Sequence, residues 1–415
     1  MGLTGDGGEI VLNVRFGPLL AAGIHRDVQL DVPKHSLQLL RSALSRIGTE
    51  RRTSGKYMSH TLFDRIDHNT RLAGDLHVRR RAHDEIQYLD LAGSANVVDT
   101  GRQTGQAEKE NPMTELRFGV ALIPTLDLET TRRLAVVAEQ AGLEYIGVQD
   151  HPYAPQYLDA FVVIGDLLAR TERIQLFPDV ANLPLRPPSV LARTASALSQ
   201  VSGGRFQLGL GAGGYRDAIE SMGAPRRTSP EALRALDEAI TIMRGLWRAD
   251  SSVDHDGEFY RVRGIGGQQP GPGGVEIWVG AQGPRSLVLT GRVADGWAAP
   301  IPAYLPYDRW AESNEVLNRA ARDAGRDPAG IRRVAQLVGT IETATPASRP
   351  LAQSGADPVR ADVAGWVELL TRLATEQPFT TFVLWPEQAD EQQIRLFAEE
   401  VAPGVRERMG ERSVV

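Results

Sequence analysis

The sequence predicts an α/β chain that closes as a (β/α)8 TIM barrel from residue 113 onward. Insertions are expected after strand four and before strand five, with an extension at the N-terminus. Three observations predict this. Apolar β-rich runs alternate with helical patterns eight times over roughly 300 residues, a count that suits a closed barrel better than an open doubly wound sheet. Glycines gather where the fourth and fifth runs end, at 209–214 and 280–283. The composition breaks at residue 112, and a clean pattern starts at Met113.

The elements follow in order. Strand one is expected at 116–123 and its helix at 128–141, with Gly142 where a left-handed C-terminal glycine belongs. Strand two falls at 145–148 and its helix at 158–170. Strand three spans 174–181, and the next helix, 188–201, opens on a proline. Strand four is 206–210. The long helix 230–248 carries Glu231 in its first turn, where an acid suits the dipole. Residues 253–262 read as a hairpin turning at Asp256-Gly257. Strand five is 275–279 with helix 284–294, and strand six is 297–299 with helix 306–324. Strand seven is 332–341 with helix 361–375, and strand eight, 380–385, leads into a closing helix at 387–401.

Residues 1–112 read differently. They hold six of the eight histidines and all three lysines, Lys34, Lys56 and Lys109. A strand is expected at 9–14, a helix at 36–47, and a polar linker at 96–112. The expectation is an added, partly disordered extension, or an early start that leaves Met113 as the natural initiator. A small domain in its own right is the competing reading.

Composition excludes several function classes. The chain of 415 residues is 42% hydrophobic and 24% charged, with formal net charge −6, so no global basic field points to nucleic acid. No apolar run reaches the ~18 residues needed to cross a membrane, and no basic-then-apolar leader opens the chain. The cytoplasm is the expected location. With no cysteine, disulfides, thiolate catalysis and cysteine metal sites are excluded. No lysine follows residue 112, so Schiff-base chemistry is excluded there.

In such a barrel the chemistry belongs at the C-terminal ends of the strands. Strand two ends in Gln149-Asp150-His151-Pro152-Tyr153. His151 is one of two histidines after residue 112; it titrates near neutrality and suits proton transfer, with Asp150 orienting it or capping the next turn. Strand four ends in Gly211-Ala212-Gly213-Gly214 and strand five in Gly280-Ala281-Gln282-Gly283. Both read as backbone cradles for a cofactor phosphate, or as plain tight loops. Arg285, at a helix start, is the arginine best placed for an anion. Trp278 and Trp297 read as barrel packing. No His/Asp/Glu cluster has metal-ligand spacing, so no metal is expected.

Taken together these motifs resemble the luciferase-like monooxygenase superfamily, over about residues 115–405. The stretch Ser202-Gly203-Gly204-Arg205-Phe206 through Gly214 is similar to its strand-four signature. The segment from Asn182 is similar to the family's strand-three exit and following helix, and those from Gly280 and from Gly291 to Trp297 are similar to its strand-five and strand-six segments. Residues 1–112 have no counterpart. The resemblance implies an F420- or FMN-dependent oxidoreductase or monooxygenase acting on a small organic substrate, by hydride transfer with F420 or O2 activation with FMN. It places His151 near the reactive face of the ring. It puts Asp179-Val180 at a non-prolyl cis peptide behind the ring, although members usually carry a smaller residue than Asp there. It sets Asn182 on a ring carbonyl or N3, and the two glycine segments on the phosphate and tail. Some F420-dependent relatives use a lysine on that phosphate; here arginine and backbone amides would replace it. The resemblance also implies a homodimer, and a flavin reductase as partner if FMN is used. The alternative is an accessory barrel that holds a cofactor without turnover.

Overall fold

The structure is a computed structural model. It describes residues 115–250, 252–343 and 355–412, together with five short strands before residue 90. The chain divides into two compact units, Met1–Ala107 and Glu108–Val415. In the first, β1 (Gly2–Thr4), β2 (Glu9–Val14), β3 (Val28–Pro33), β4 (Val78–Ala82) and β5 (Glu85–Leu89) form an antiparallel sheet in sequence order. The expected strand at 9–14 is present; the expected helix at 36–47 lies outside the described residues.

In the second unit eight parallel strands close a barrel. They are β6 (Arg117–Leu122), β7 (Tyr145–Val148), β8 (Gln175–Pro178) continued by β9 (Ala181–Asn182), β10 (Leu208–Gly211), β13 (Ile277–Val279), β14 (Gly296–Ala299), β15 (Arg332–Ile341) and β17 (Thr381–Pro386). Closure comes where β9 pairs with β10 and Leu176 bridges Phe206. Two additions stand outside the ring. A hairpin of β11 (Ser252–Asp256) and β12 (Arg261–Gly266) precedes strand five, and β16 (Val359–Ala361) extends the end of β15.

Side-chain alternation along each strand divides the core in two. Outward residues join the helices in one large cluster, including Ile146, Leu176, Leu208 and Trp297. Inward residues fill the barrel: Ala121, Tyr145, Phe177, Trp278, Ala298, Val334 and Val383. Trp278 and Trp297 are both packing residues, one on each side of the wall. Caps fix the helix starts. Asp127 caps α1 (Leu128–Gln140), Asp159 caps α2 (Ala160–Leu168), and Thr228 with Glu231 forms a capping box on α5 (Ser229–Leu246). The helix α3 (Pro188–Val201) begins on its proline. A short helix, α4 (Arg216–Ser221), fills the insertion after strand four.

Four expectations need correction. Strand three is broken, because the peptide between Asp179 and Val180 is cis and divides β8 from β9. Strand four starts two residues late, at Leu208, with Phe206 contributing an isolated bridge. The hairpin does not turn on Asp256-Gly257: Asp256 pairs with Arg261, and Glu238 accepts the backbone N–H groups of Glu258, Phe259 and Tyr260 in the longer loop. The closing helix does not stop at Val401 but continues through a π-turn at Leu396–Val401 into a last helix, Ala402–Arg412.

Candidate active site

The exits of strands two and three are joined by one buried carboxylate. Asp150 accepts the backbone N–H of Asn182 (2.9 Å) and a bidentate pair from Arg186 (3.2 and 2.8 Å). Arg186 also donates to Asp159 (2.8 Å) and lies 4.3 Å over the Phe161 ring. Asp150 is 3% exposed, so this pair is a charge-assisted tether in low dielectric. Both oxygens face the strand-three side, and the expected orienting bond to His151 is absent. Asp150 acts on His151 through its charge alone.

His151 is half-buried among aromatic rings. Its Nδ1 is hydrogen-bonded to the Tyr153 hydroxyl, and the Tyr153 and Tyr215 rings stand edge-on to it, each at 5.3 Å between centroids. Tyr215, from the loop after strand four, shares a hydroxyl hydrogen bond with Tyr304 after strand six. Burial pushes the His151 pKa below its ordinary value, while the Asp150 charge pulls the other way. The imidazole is therefore neutral at neutral pH. Burial also raises the Tyr153 phenol, and Tyr304 is pushed up to about 12, so both hydroxyls keep their protons.

Val180 explains the glycines. Its side chain packs against the inward core of the barrel. A Cβ added at Gly211 would meet Val180 Cγ2 at 2.8 Å, and one at Gly280 would meet it at 3.1 Å. These two positions are bare because the strand-three bulge occupies the space where a Cβ would stand. The Gly280 amide is bound to Leu210 O (3.0 Å), the Ala281 amide to Val279 O (3.1 Å), and the Gly283 amide to Ser286 Oγ (3.1 Å). Ala281 O in turn accepts the Trp297 indole N–H (2.8 Å). The segment therefore offers an anion little more than the exposed Gln282 and Arg285 at the start of α6 (Pro284–Val293). After strand four, Ala212 packs on the outer core and Gly213 adopts φ +89° under Pro184 and Ile219, while Gly214 faces open space.

Below the mouth the barrel has a polar floor, made by Asp179, which the sequence singles out, and by Gln336 and Trp385, which sequence reasoning missed. Asp179, 7% exposed, accepts from Gln336 Nε2 (2.8 Å), and Gln336 Oε1 accepts from Trp385 Nε1 (2.9 Å). Strands three and seven stand four places apart in either direction around the ring, so the Asp179–Gln336 bond spans the barrel. Three buried side-chain oxygens in this region have no partner: Gln149 Oε1, Asp179 Oδ2 and Asn182 Oδ1. Buried oxygens are normally hydrogen-bonded, so unpaired ones at strand exits mark a place for a polar guest. Among the described residues no group of three acids or histidines could hold a metal.

Residues 97–396 match the model of the luciferase-like monooxygenase family, and the chain belongs to that family. It is 31% identical over 183 residues to a 5,10-methylenetetrahydromethanopterin reductase of Archaeoglobus fulgidus, covering 44% of this chain and 52% of that one. It is 33% identical over 194 residues to a phthiodiolone/phenolphthiodiolone dimycocerosates ketoreductase of Mycobacterium kansasii, covering 45% and 51%. The chain thus spans about half the length of these curated relatives. Among solved structures, an F420-dependent secondary alcohol dehydrogenase superimposes with TM-score 0.60 at 18% identity, covering 70% of this chain and 99% of that one. The F420-dependent tetrahydromethanopterin reductase of Methanopyrus kandleri gives TM-score 0.57 at 20% identity, covering 70% and 99%. At such identities these two structures support the fold. No helix among the described residues is long and apolar enough to cross a membrane.

Proposed function

We propose that this barrel is an oxidoreductase that binds F420 or FMN at its C-terminal mouth and acts on a small organic substrate. One observation carries the reading: His151, with a partnered Nδ1, stands at the same strand exits as three buried oxygens without partners. The pyrimidine edge common to both cofactors carries an N–H between two carbonyls. Gln149 and Asn182 would accept from such an N–H, and Val180 would back the ring. The loop at Gly213-Gly214 and the first turn of α6 with Arg285 would hold the phosphate, since first-turn amides lack partners within a helix.

When bound, the cofactor supplies two-electron redox chemistry: hydride transfer with F420, or O2 activation with FMN. The protein's part is orientation and proton handling. With the Tyr153 hydroxyl donating to Nδ1, the neutral His151 ring carries its proton on Nε2 (a tautomer assigned from the hydrogen bond). Nε2 is then the atom that gives a proton to a substrate oxygen gaining negative charge, or removes one in the reverse direction. Asp150 stabilises the imidazolium form at a distance and keeps strands two and three in register. The two named sequence relatives are a reductase and a ketoreductase, which favours hydride transfer over oxygenation.

Titration with FMN and with F420, followed by ring absorbance and by mass analysis of the retained ligand, tests this reading. Saturable one-to-one binding of one of them supports it, and binding of neither refutes it.

A further inference from the structure

A carboxylate inside a protein survives only with a counter-cation or several donors. Asp179 has neither. It is 7% exposed, and its one hydrogen-bond donor is the neutral amide of Gln336. The Trp385 indole N–H is fixed on Gln336 Oε1, so the Gln336 amide is committed to turning its NH2 toward Asp179 Oδ1. Asp179 Oδ2 has no partner. It lies against strand two at Gly147, where an added Cβ would meet it at 2.8 Å. The titratable groups on the surrounding strands do not compensate. Tyr145 on β7 is buried and neutral. Asp150 is already paired with Arg186, His151 faces Tyr153, and Arg332 on β15 is engaged by Glu276 (3.0 Å).

We infer that Asp179 is a proton-exchanging carboxylic acid built into the barrel floor, a positioning residue whose single proton sets the charge beneath the bound redox ring. This rests on the cofactor reading above and adds a named residue to it. Burial raises the Asp179 pKa to about 7, with the Gln336 bond acting in the opposite direction, so the proton is exchangeable near neutrality. An ionised Asp179 would place a negative charge under a ring that becomes more negative on reduction. The two equilibria are then linked: reduction favours the protonated acid, and loss of the proton disfavours reduction.

The first measurement uses the cofactor-free full chain, labelled with ¹³C at the aspartate carboxyl carbon and titrated by NMR. One aspartate should titrate near neutrality, and that signal should vanish in Asp179→Asn. Gln336→Met, which removes the one donor, should move the titration to higher pH; this variant keeps the test open if Asp179→Asn fails to fold. The second measurement is the midpoint potential of the bound cofactor, FMN or F420, against pH. Wild type and Asp179→Asn should coincide well below the titration. Above it they should separate, with wild type at the lower potential. The inference is overturned if every aspartate titrates in the ordinary acid range, or if the two potential curves run parallel across the whole pH range. Binding of neither cofactor would overturn the linkage together with the functional reading, even with the NMR titration as expected, so the two failures are told apart.

Discussion

At the scale of single residues, Asp150 and Asp179 show how neighbours decide the role of a carboxyl group. Asp150 is fully paired with Arg186 and the Asn182 amide, and tethers two strand exits. Asp150→Asn leaves Arg186 without its buried partner and should cost about 3 kcal/mol of stability, read as a lower unfolding midpoint. The pH dependence of turnover should keep its inflection, since the proposal assigns proton transfer to His151. Asp179 has the opposite surroundings. Its folded pKa, about 7, lies above the ordinary 3.8 of an aspartate, so the folded state binds the extra proton between those values. Stability from this group is fully present below the lower value and is lost as pH rises through the upper one. Asp179→Asn should therefore unfold at higher temperature than wild type at alkaline pH, with the gap closing in acid. His151 has the reverse sign: its pKa is lowered, so the unfolded chain takes up the proton first as pH falls below the ordinary histidine value, and stability declines there. Equal slopes for wild type and a His151→Gln variant in that window would argue against the burial described.

At the scale of elements, the sequence pattern was legible wherever local chemistry decides. The strands at 145–148 and 332–341 and the helix Pro188–Val201 match their expected bounds, because apolar runs, a proline start and glycine stops are local signals. The signature at 202–205 is also explained locally: Gly203 and Gly204 adopt positive φ, and Arg205 donates to the carbonyls of Leu168, Ile174 and Ser202. What the pattern could not reveal are contacts across the ring. The Asp179–Gln336 bond joins residues 157 positions apart, and the Tyr215–Tyr304 pair joins loops 89 apart. Nothing in the neighbourhood of Gln336, Trp385 or Arg186 announces these partners. The glycines after strand four were visible, but the reason for Gly211 was not, since Val180 reaches it from another strand. A double-mutant cycle checks that reason. Gly211→Ala should be strongly destabilising in the wild-type background and much milder with Val180→Ala, because the second change removes the obstructing methyl groups. Additive effects would mean that the two side chains do not compete for space.

At the scale of the whole molecule, the barrel unit runs from Glu108 and contains every residue assigned a role here. The separation from Met1–Ala107 supports the proposal that a chain beginning at Met113 folds alone and binds cofactor like the full chain. Insoluble protein, or an unfolding midpoint lower by many degrees, would show that the first unit belongs to the barrel's stability. The fold also explains why the site stands where it does. The inward core closes the lower barrel with Tyr145, Phe177 and Trp278, the Asp179–Gln336–Trp385 floor lies above it, and the aromatic ring of His151, Tyr153 and Tyr215 stands at the strand exits.

The central claim is that His151 handles the proton for redox chemistry at this mouth. Its most direct test is a single-turnover measurement: the pre-reduced, cofactor-loaded protein is mixed with a ketone acceptor without oxygen, and ring reoxidation is followed across pH for wild type and His151→Asn. The account predicts an inflection below neutrality in wild type, its loss in the variant, and a rate lower by about 10²–10⁴-fold with cofactor affinity nearly unchanged. A variant that reoxidises at the wild-type rate with the same pH profile would contradict it.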